Sequence, residues 1–518
     1  MARKIKTRWK ISATLTALTP LHIGGIGGDV DTDLALAVNG RCHYYLPGTS
    51  LAGALRGWMA QSSSEAQVKD YWGDHESEHR GASFIVVEDA EIALEQGQRI
   101  EIREGVGIDR HTGAAAERFK YNRAILPKGV SIPLKITLDC QKSHDPTQLW
   151  QVLQALEQGD IRIGAAKTRG LGKVQLTDIQ IHRQDLNSAD GLFEALLDQV
   201  PPQDWNQLRQ AAPYLPPARL NFTLGWEPRD PVMVKAEGDG LAVDILPLVS
   251  QVDAGVRFVI PGSSIKGVLR AHAERIVRTV CGIEVTAETK FNQQLQVPLV
   301  EILFGSAEKN KPQPNGKKPK SQGEIGALAV DDCYATLEMS ASHWAAVEST
   351  PKATNGTFTQ FEKTLGTALG DGDQPFQTLQ PAMHVAIDRW TGGAADSMLY
   401  CVLEPIGISW EPIGLFLDVA RLCQYHPETV KPAIALLLLV LRDFAHRKIP
   451  IGYGTNRGMG TVEVTAMTSH GKGLSNLEGL MEEKTITPDL GGLDALLLND
   501  LTKAWQQWID HPTPQEVA

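Results

Sequence analysis

The segments Pro47-Gly-Thr-Ser-Leu-Ala-Gly-Ala-Leu-Arg56 and Pro261-Gly-Ser-Ser-Ile-Lys-Gly-Val-Leu-Arg270 are two versions of one sequence in a chain of 518 residues. Two further pairs of similar segments follow, in the same order in both halves of the chain. One pair is Gly107 to Ala115 and Ala386 to Ala394. The other is Ile163 to Val174 and Ile451 to Val462. Chance matches would not keep their order along a chain. The sequence therefore predicts two copies of one domain, called copy one and copy two below.

Each copy has the pattern of a split βαβ unit. Apolar and polar residues alternate from Trp9 to Leu18, which predicts a half-buried strand. In the Pro-Gly-Ser/Thr-Ser turn, Ser or Thr is then predicted to supply the N-cap of a helix. Strands are predicted at 84–87 and 132–138 before a second helix at 146–157. The fold class is therefore α+β, with two tandem ferredoxin-like (RRM-like) domains that carry β-hairpins and insertions.

Composition shifts place the domain boundaries. The first domain is predicted at 1–190, a Pro-rich linker at 191–219 and the second domain at 220–470. A Lys-rich insertion at 306–323 cannot bury a core and is predicted as a mobile loop, and 471–518 as a helical tail.

Overall charge and cysteine usage exclude several classes of protein. A net charge of −11 excludes a uniformly basic nucleic-acid coat, although a local basic surface remains possible. The longest apolar run, Ala433 to Leu441, is too short to cross a bilayer, and the N-terminus has no export signal. Six scattered cysteines without a CxxC pair argue against a zinc ribbon or a disulfide framework, so a cytoplasmic location is expected. Since no HExxH motif is present, any metal must be held by carboxylates.

The repeated motifs carry candidate RNA-binding residues. A helix start suits a phosphate, and Lys266 and Arg270 lie one turn apart on the helix that Pro261 opens. Each glycine-rich run places one arginine at its middle, without the GK[ST] ending of a Walker loop. The alternatives are an ordinary capped helix with a solvated basic face and ordinary glycine turns. The candidates are Ser50, Arg56, Arg169, Ser263, Ser264, Lys266, Arg270 and Arg457.

The Ile-Asp-Arg-x-Thr-Gly motifs are predicted to form hairpin tips, because Asp-Arg starts a turn and Thr-Gly closes it. An imidazole or indole beside an arginine can stack on bases or wedge between them. The alternative is a plain surface hairpin. The predicted tip residues are Ile108, Arg110 and His111 in copy one, and Ile387, Arg389 and Trp390 in copy two.

Together with Leu21-His-Ile-Gly-Gly25, these motifs resemble the RAMP superfamily, in particular the tandem double-domain backbone subunit of type III CRISPR–Cas effectors of the III-D kind. The resemblance implies that such subunits stack along a guide crRNA together with other RAMP subunits and a large subunit, with no membrane involved. It also implies that the hairpins are thumbs that interrupt the duplex between the guide and a single-stranded target RNA. An aspartate then directs endoribonuclease cleavage with Mg²⁺ or another divalent cation.

Matched residue by residue, the resemblance assigns the catalytic and metal-binding aspartates to Asp31 in Val30-Asp-Thr-Asp-Leu34 and to Asp244 in Val243-Asp-Ile-Leu-Pro247. Without the family, a loop aspartate is usually a turn or capping residue. Two alternatives therefore stay open. One is a non-catalytic crRNA-binding filament subunit, and the other is a crRNA-processing endoribonuclease that uses His22 or His111.

Overall fold

The computed structural model describes residues 4–26, 32–74, 81–141, 145–311, 320–352, 358–370, 374–474, 480 and 482–511, with side chains 308–322 excepted. The chain forms two compact units. The first unit comprises Met1–Ile102, Asn122–Lys167 and Leu171–Pro217. The second comprises Arg103–Tyr121, Thr168–Gly170 and Ala218–Ala518. In the described part of the chain, no helix combines the length and the apolar composition that crossing a membrane requires.

The elements of copy one run from the N-terminus to the start of copy two. They are β1 (Thr7–Ala17), β2 (Tyr45–Leu46), α1 (Gly48–Ser62), α2 (Glu65–Trp72), β3 (Ile85–Val87), β4 (Ala90–Glu91), β5 (Glu101–Ile108), β6 (Ala115–Ile125), β7 (Ser131–Cys140), α3 (Thr147–Glu157), β8 (Arg169–Gly170), β9 (Val174–Asp185), α4 (Ala189–Leu196) and α5 (Trp205–Ala211).

The elements of copy two are more numerous because of its insertions. They are β10 (Arg219–Pro228), β11 (Val249–Val252), β12 (Gly255–Ile260), α6 (Gly262–Cys281), α7 (Phe291–Gln294), α8 (Val300–Phe304), β13 (Ser306–Lys311), β14 (Lys320–Glu324), β15 (Leu328–Asp331), β16 (Cys333–Tyr334), β17 (Met339–Ser340), α9 (Ala341–Glu348), α10 (Thr359–Ala368), β18 (Leu379–Ile387), β19 (Ala394–Pro405), β20 (Ile413–Asp418), α11 (Val419–Tyr425), α12 (Val430–Ala445), β21 (Val462–Lys472), β22 (Lys484–Ile486) and α13 (Ala495–Asp510).

The central sheets of the two copies have the same topology. The first has the order β3-β7-β1-β9, and every neighbouring pair is antiparallel. The second contains β15-β20-β10-β21 in the corresponding order, again antiparallel, with β22 added at one edge. This is the strand order of a ferredoxin-like sandwich, with α1 and α3, or α6 and α12, as its crossover helices. The predicted fold class is confirmed.

Each unit has its own hydrophobic core. Strand β1 buries alternate side chains, among them Ile11 and Leu15, as its sequence alternation predicts. Helix α12 is buried on most of its surface and lies within the core of the second unit. The short apolar run from Ala433 to Leu441 is thus the inside of a globular domain, where each fully buried leucine contributes about 1.5–3 kcal/mol.

Two predicted segments differ from the structure. The predicted linker contains α5 and most of α4, and Ala212 and Trp205 pack on the core of the first unit, so apolar side chains tie this segment down. The Lys-rich insertion contains an antiparallel pair, β13 and β14, rather than a loop alone. Residues 312–319 of that insertion lie outside the described residues.

Two short segments of copy one belong to the second unit. One is Arg103–Tyr121, which is the outer part of the hairpin formed by β5 and β6. The other contains β8, which pairs in parallel with β15 and extends the sheet of the second unit. We call the β5–β6 hairpin hairpin one and the β18–β19 hairpin hairpin two.

Candidate nucleic-acid interface

An aspartate lies at the base of each hairpin. The Asp244 carboxylate accepts a 2.6 Å hydrogen bond from the backbone N–H of Cys401 in β19. In copy one the Asp33 carboxylate accepts a 2.9 Å bond from the backbone N–H of Asn122 in β6, and the Asn122 side chain accepts from the N–H of Asp33 at 2.7 Å. Each carboxylate therefore holds the second strand of its hairpin.

The backbone around these aspartates repeats in the same register. Leu34 donates to the carbonyl of Asn122 at 3.2 Å, as Ile245 donates to the carbonyl of Cys401 at 3.0 Å. Leu34 also pairs in parallel with Arg123, as Ile245 pairs with Val402. By contact geometry, Asp33 is thus the counterpart of Asp244. Asp31 is two residues earlier and lies outside the described residues.

The described residues fit a divalent cation only through single carboxylates. Among them, no group of three or more His, Cys, Asp or Glu side chains is placed to hold a metal ion. Mg²⁺ keeps most of its waters and often binds through one or two carboxylates, so Asp244 or Asp33 could serve as a single ligand. One oxygen of each is already bonded to a backbone N–H.

The starts of α1 and α6 are similar and accessible. Ser50 and Ser263 are exposed and Ser264 is half-buried. The first N–H of each helix is bonded to an aspartate, with Gly48 donating to Asp89 and Gly262 donating to Asp332, both at 2.7 Å. The exposed first turns retain the dipole that favours an anion.

The cations farther along α6 face inward. Lys266 is 5% exposed and its ammonium donates to the carbonyl of Leu328 at 2.7 Å. Burial, together with Arg169 and Arg270, lowers the pKa of Lys266 to about 7. Arg270 donates to Glu274 and to the carbonyls of Gly305 and Leu295. Lys266 and Arg270 therefore form contacts inside the domain and not the predicted basic surface. Arg56 on α1 is half-exposed.

Both glycine-loop arginines contact a hairpin tyrosine. Arg169 donates to the hydroxyl of Tyr121 at 3.1 Å. Arg457 donates to the hydroxyls of Tyr400 and Tyr453, and its guanidinium lies 5.9 Å and 5.1 Å from the centres of their rings. Arg457 remains exposed to solvent. Each predicted arginine thus contacts a tyrosine of the hairpin in its own copy.

The tip of hairpin one is held by protein. Arg110 forms an ion pair with Glu274 of α6 at 2.6 Å, and the Glu274 side chain is fully buried. The side chain of Gln294 accepts from the N–H of Arg110 at 2.8 Å and donates to Asp109 at 2.9 Å. Of the three predicted tip residues, Arg110 is bonded to other parts of the protein, while Ile108 and His111 are exposed.

The tip of hairpin two faces solvent. Trp390 is 97% exposed, Ile387 is 56% exposed and Arg389 is also exposed. A fully exposed indole on a tight turn is available to stack on a base.

The two histidines of the endoribonuclease alternative are His22 and His111, and His111 is exposed at the tip of hairpin one. His22 is buried and its Nδ1 is bonded to the carbonyl of Ala124 at 2.7 Å. Burial lowers its pKa, with smaller effects from that bond and from Arg123. In copy two the equivalent position, against which Gly452 packs as Gly164 packs against His22, is Met233. This favours a packing role for His22.

Sequence reasoning missed Glu274, Asp33 and the two hairpin tyrosines. Asp33 had a signal, because Asp-Leu-Ala-Leu at 33–36 aligns with Asp-Ile-Leu-Pro at 244–247 without a gap. Glu274 had none, since Ala60 stands at the matching position of α1.

These observations define a tandem ferredoxin-like protein in which each copy of the repeat carries a hairpin and an arginine loop. The model of the RAMP superfamily matches residues 14–175 and 248–463, which is more than half of the chain. The chain belongs to the RAMP superfamily. At this level it is a CRISPR-associated RNA-binding subunit. No curated protein matches the chain.

Proposed function

We propose that this chain is a backbone subunit of a type III CRISPR–Cas ribonucleoprotein, which binds guide crRNA and cleaves complementary target RNA at positions set by its hairpins. Its partners in this proposal are the crRNA, a single-stranded target RNA, other RAMP subunits and the large subunit. Asp31 and Asp244 direct the cleavage.

One repeated arrangement carries the proposal. In both copies an aspartate holds the base of a hairpin, and in copy one this is Asp33, two residues after the proposed catalytic Asp31. The tyrosine of each hairpin, Tyr121 or Tyr400, contacts the arginine of the glycine loop. Carboxylate, aromatic ring and cation are the groups that a site needs to contact a sugar, a base and a phosphate.

Cleavage of RNA requires few catalytic groups from the protein, because the 2′-hydroxyl of the RNA is itself the nucleophile. Cleavage needs this oxygen in line with the phosphorus and the leaving oxygen, which a nucleotide displaced from the duplex can reach more easily than a stacked one. The hairpin displaces the nucleotide and Arg169 or Arg457 holds the backbone beside it. A divalent cation at the aspartate would supply charge stabilisation and lower the pKa of its bound water.

A non-catalytic filament subunit is the second candidate. The bonds from Cys401 to Asp244 and from Asn122 to Asp33 favour it, since they give these carboxylates a role in holding the hairpins without any reaction. Both candidates require the same guide binding.

A cleavage ladder of end-labelled target RNA separates the two candidates. Complexes are reconstituted with the unmodified chain or with Asp31→Ala, Asp33→Ala or Asp244→Ala. We expect Asp31→Ala to remove one product and Asp244→Ala another, because sites in separate domains without shared ligands should act independently. Asp33→Ala is the comparison variant in copy one, because it removes the carboxylate that holds the hairpin base and leaves Asp31 in place.

Each other pattern of products has a definite reading. Loss of the copy-one product in Asp33→Ala but not in Asp31→Ala would move the catalytic assignment to Asp33. An unchanged ladder in all three variants, with guide binding intact, would establish the non-catalytic candidate.

A further inference from the structure

Four planar side chains form a stack beside hairpin two. The His384 ring lies parallel to the Tyr400 ring, with centroids 5.4 Å apart and an interplanar angle of 14°. The Arg457 guanidinium lies over Tyr400 and also over Tyr453. His384 and Arg457 therefore form a continuous series with the two tyrosines, which we call the copy-two stack.

The copy-two stack is fixed in place by its surroundings. His384 Nε2 is bonded to the Glu404 carboxylate at 3.0 Å, which sets the plane of the ring. Tyr400 and Tyr453 pack against a small buried cluster formed by Met233, Ile245, Val402 and Met459. Rings that are already oriented lose little rotamer freedom when a ligand stacks on them.

Its two ends differ in charge. The His384 end has Glu404 as a neighbour, and the His384 side chain is 27% exposed. The other part carries the exposed Arg457. A phosphate is attracted to the arginine and repelled by the glutamate, whereas an uncharged ring can lie beside either. The polarity suits an RNA strand that places a base at His384 and a backbone phosphate at Arg457.

Copy one has only the central pair of the stack. Tyr121 and Arg169 are present, but Gly105 and Ala165 stand in the places of His384 and Tyr453. A Cβ on Gly105 would lie 2.4 Å from the Tyr121 ring, so even a small side chain would clash there unless the tyrosine moved. The full stack is therefore a feature of copy two alone.

We propose that the copy-two stack binds one unpaired nucleobase of a single-stranded RNA, with the base on His384 and a phosphate of the RNA backbone on Arg457. The proposal rests on the proposed function, because it names the contact that one domain makes with the RNA. It adds a site that distinguishes the two copies. Because every base presents a π face, this contact holds RNA without selecting its sequence.

The test measures binding of a fluorescein-labelled single-stranded RNA of mixed sequence to the full chain by fluorescence anisotropy at low salt. Stacking of one base is worth about 1–3 kcal/mol, so His384→Ala should weaken binding roughly tenfold. His384→Phe keeps a flat ring without the bond to Glu404 and should bind within about threefold of the unmodified chain. His343→Ala, at an exposed position on α9, is the matched control and should bind normally.

A photocrosslinking measurement completes the test. RNA containing 4-thiouridine should crosslink to the segment 379–405 in the unmodified chain and lose that crosslink in His384→Ala. Normal affinity and crosslinking in His384→Ala would overturn this inference and leave the proposed function standing. No binding of RNA by the unmodified chain, either free or in the reconstituted complex, would overturn both.

Discussion

Hairpin one and hairpin two share a turn. In each, an aspartate carboxylate accepts hydrogen bonds from the N–H groups two and three residues later, at 2.8 to 2.9 Å. The arginine that follows the aspartate has a different environment in each hairpin. Arg110 forms an ion pair with buried Glu274, whereas Arg389 is exposed to solvent. Closely similar turn sequences can thus hold their arginine against the protein in one copy and leave it exposed in the other, while Ile108 and His111 of hairpin one stay exposed.

The surroundings of hairpin one explain the difference. Gly107 lets the hairpin approach Phe291, since a Cβ there would lie 2.7 Å from the ring, and Phe119 packs on the same ring with centroids 4.3 Å apart. Arg103 forms an ion pair with buried Asp332 at 3.2 Å. The matching residues of hairpin two are Ala382, Ala386 and Met398, which lack these features.

Removing Glu274 should have the largest effect on stability. Glu274→Ala leaves Arg110, Arg270 and Arg278 close together without their shared carboxylate, and breaking a buried ion pair in this way costs about 3–5 kcal/mol. Urea unfolding of the full chain would measure the loss. Glu338→Ala, which removes a partly exposed ion pair with Arg257, is the control and should cost at most about 1 kcal/mol. Equal losses in the two variants would contradict the role of Glu274.

Removing either tip arginine should change the stability by less than removing Glu274, and the two losses should differ. Arg110→Ala removes hydrogen bonds to a buried carboxylate and should cost about 1.5–3 kcal/mol. Arg389→Ala changes an exposed side chain and should stay within about 0.5 kcal/mol. The same unfolding measurement applies, and a loss in Arg389→Ala as large as in Arg110→Ala would show that hairpin two is also held by protein.

The turn aspartates give the smallest effect, which depends on pH. The Thr112 N–H and then Gln294 hold the pKa of Asp109 down to about 2, while the N–H groups of Thr391 and Trp390 lower the pKa of Asp388. Because these pKa values lie below the ordinary value, each carboxylate stabilises its turn above about pH 4, and this contribution fades as the pH falls through the folded-state pKa.

Gln294 is the part of this arrangement that is specific to hairpin one. Gln294→Ala should raise the pKa of Asp109 and leave that of Asp388 unchanged, as followed by carboxyl chemical shifts in an NMR titration. Equal changes at both aspartates, or none at either, would count against the docking of Asp109 on Gln294.

The fold could be predicted because the patterns that indicate it depend on residues close together in the sequence. Alternation in β1 depends on near neighbours in sequence and is found as predicted. Helix α1 also begins at the predicted turn, but the predicted Ser or Thr cap is wrong, because Pro47 is the N-cap and no side chain caps the helix. The two hairpins were placed correctly by their Asp-Arg-x-Thr-Gly turns, since the aspartate bonds only to residues two and three positions away.

The site was less predictable because its decisive contacts join distant residues. Lys266 has the spacing of a surface cation, yet it is buried against the carbonyl of Leu328, 62 residues away. The pairing of Arg110 with Glu274 spans 164 residues and leaves no periodic trace in the sequence. Asp31 lies outside the described residues, so its catalytic role stays a prediction.

Hydrogen exchange on the full chain, with and without guide crRNA, tests most directly the central claim that hairpin one is held by protein while hairpin two is free to meet RNA. In the chain alone, amides in the outer part of hairpin one, 103–121, should exchange more slowly than the matching amides of hairpin two, 382–400. Addition of crRNA should slow exchange mainly in hairpin two, because the outer amides of hairpin one are already protected in the free chain. Equal exchange of the two hairpins in the free chain, or slowing confined to hairpin one on binding, would contradict the claim.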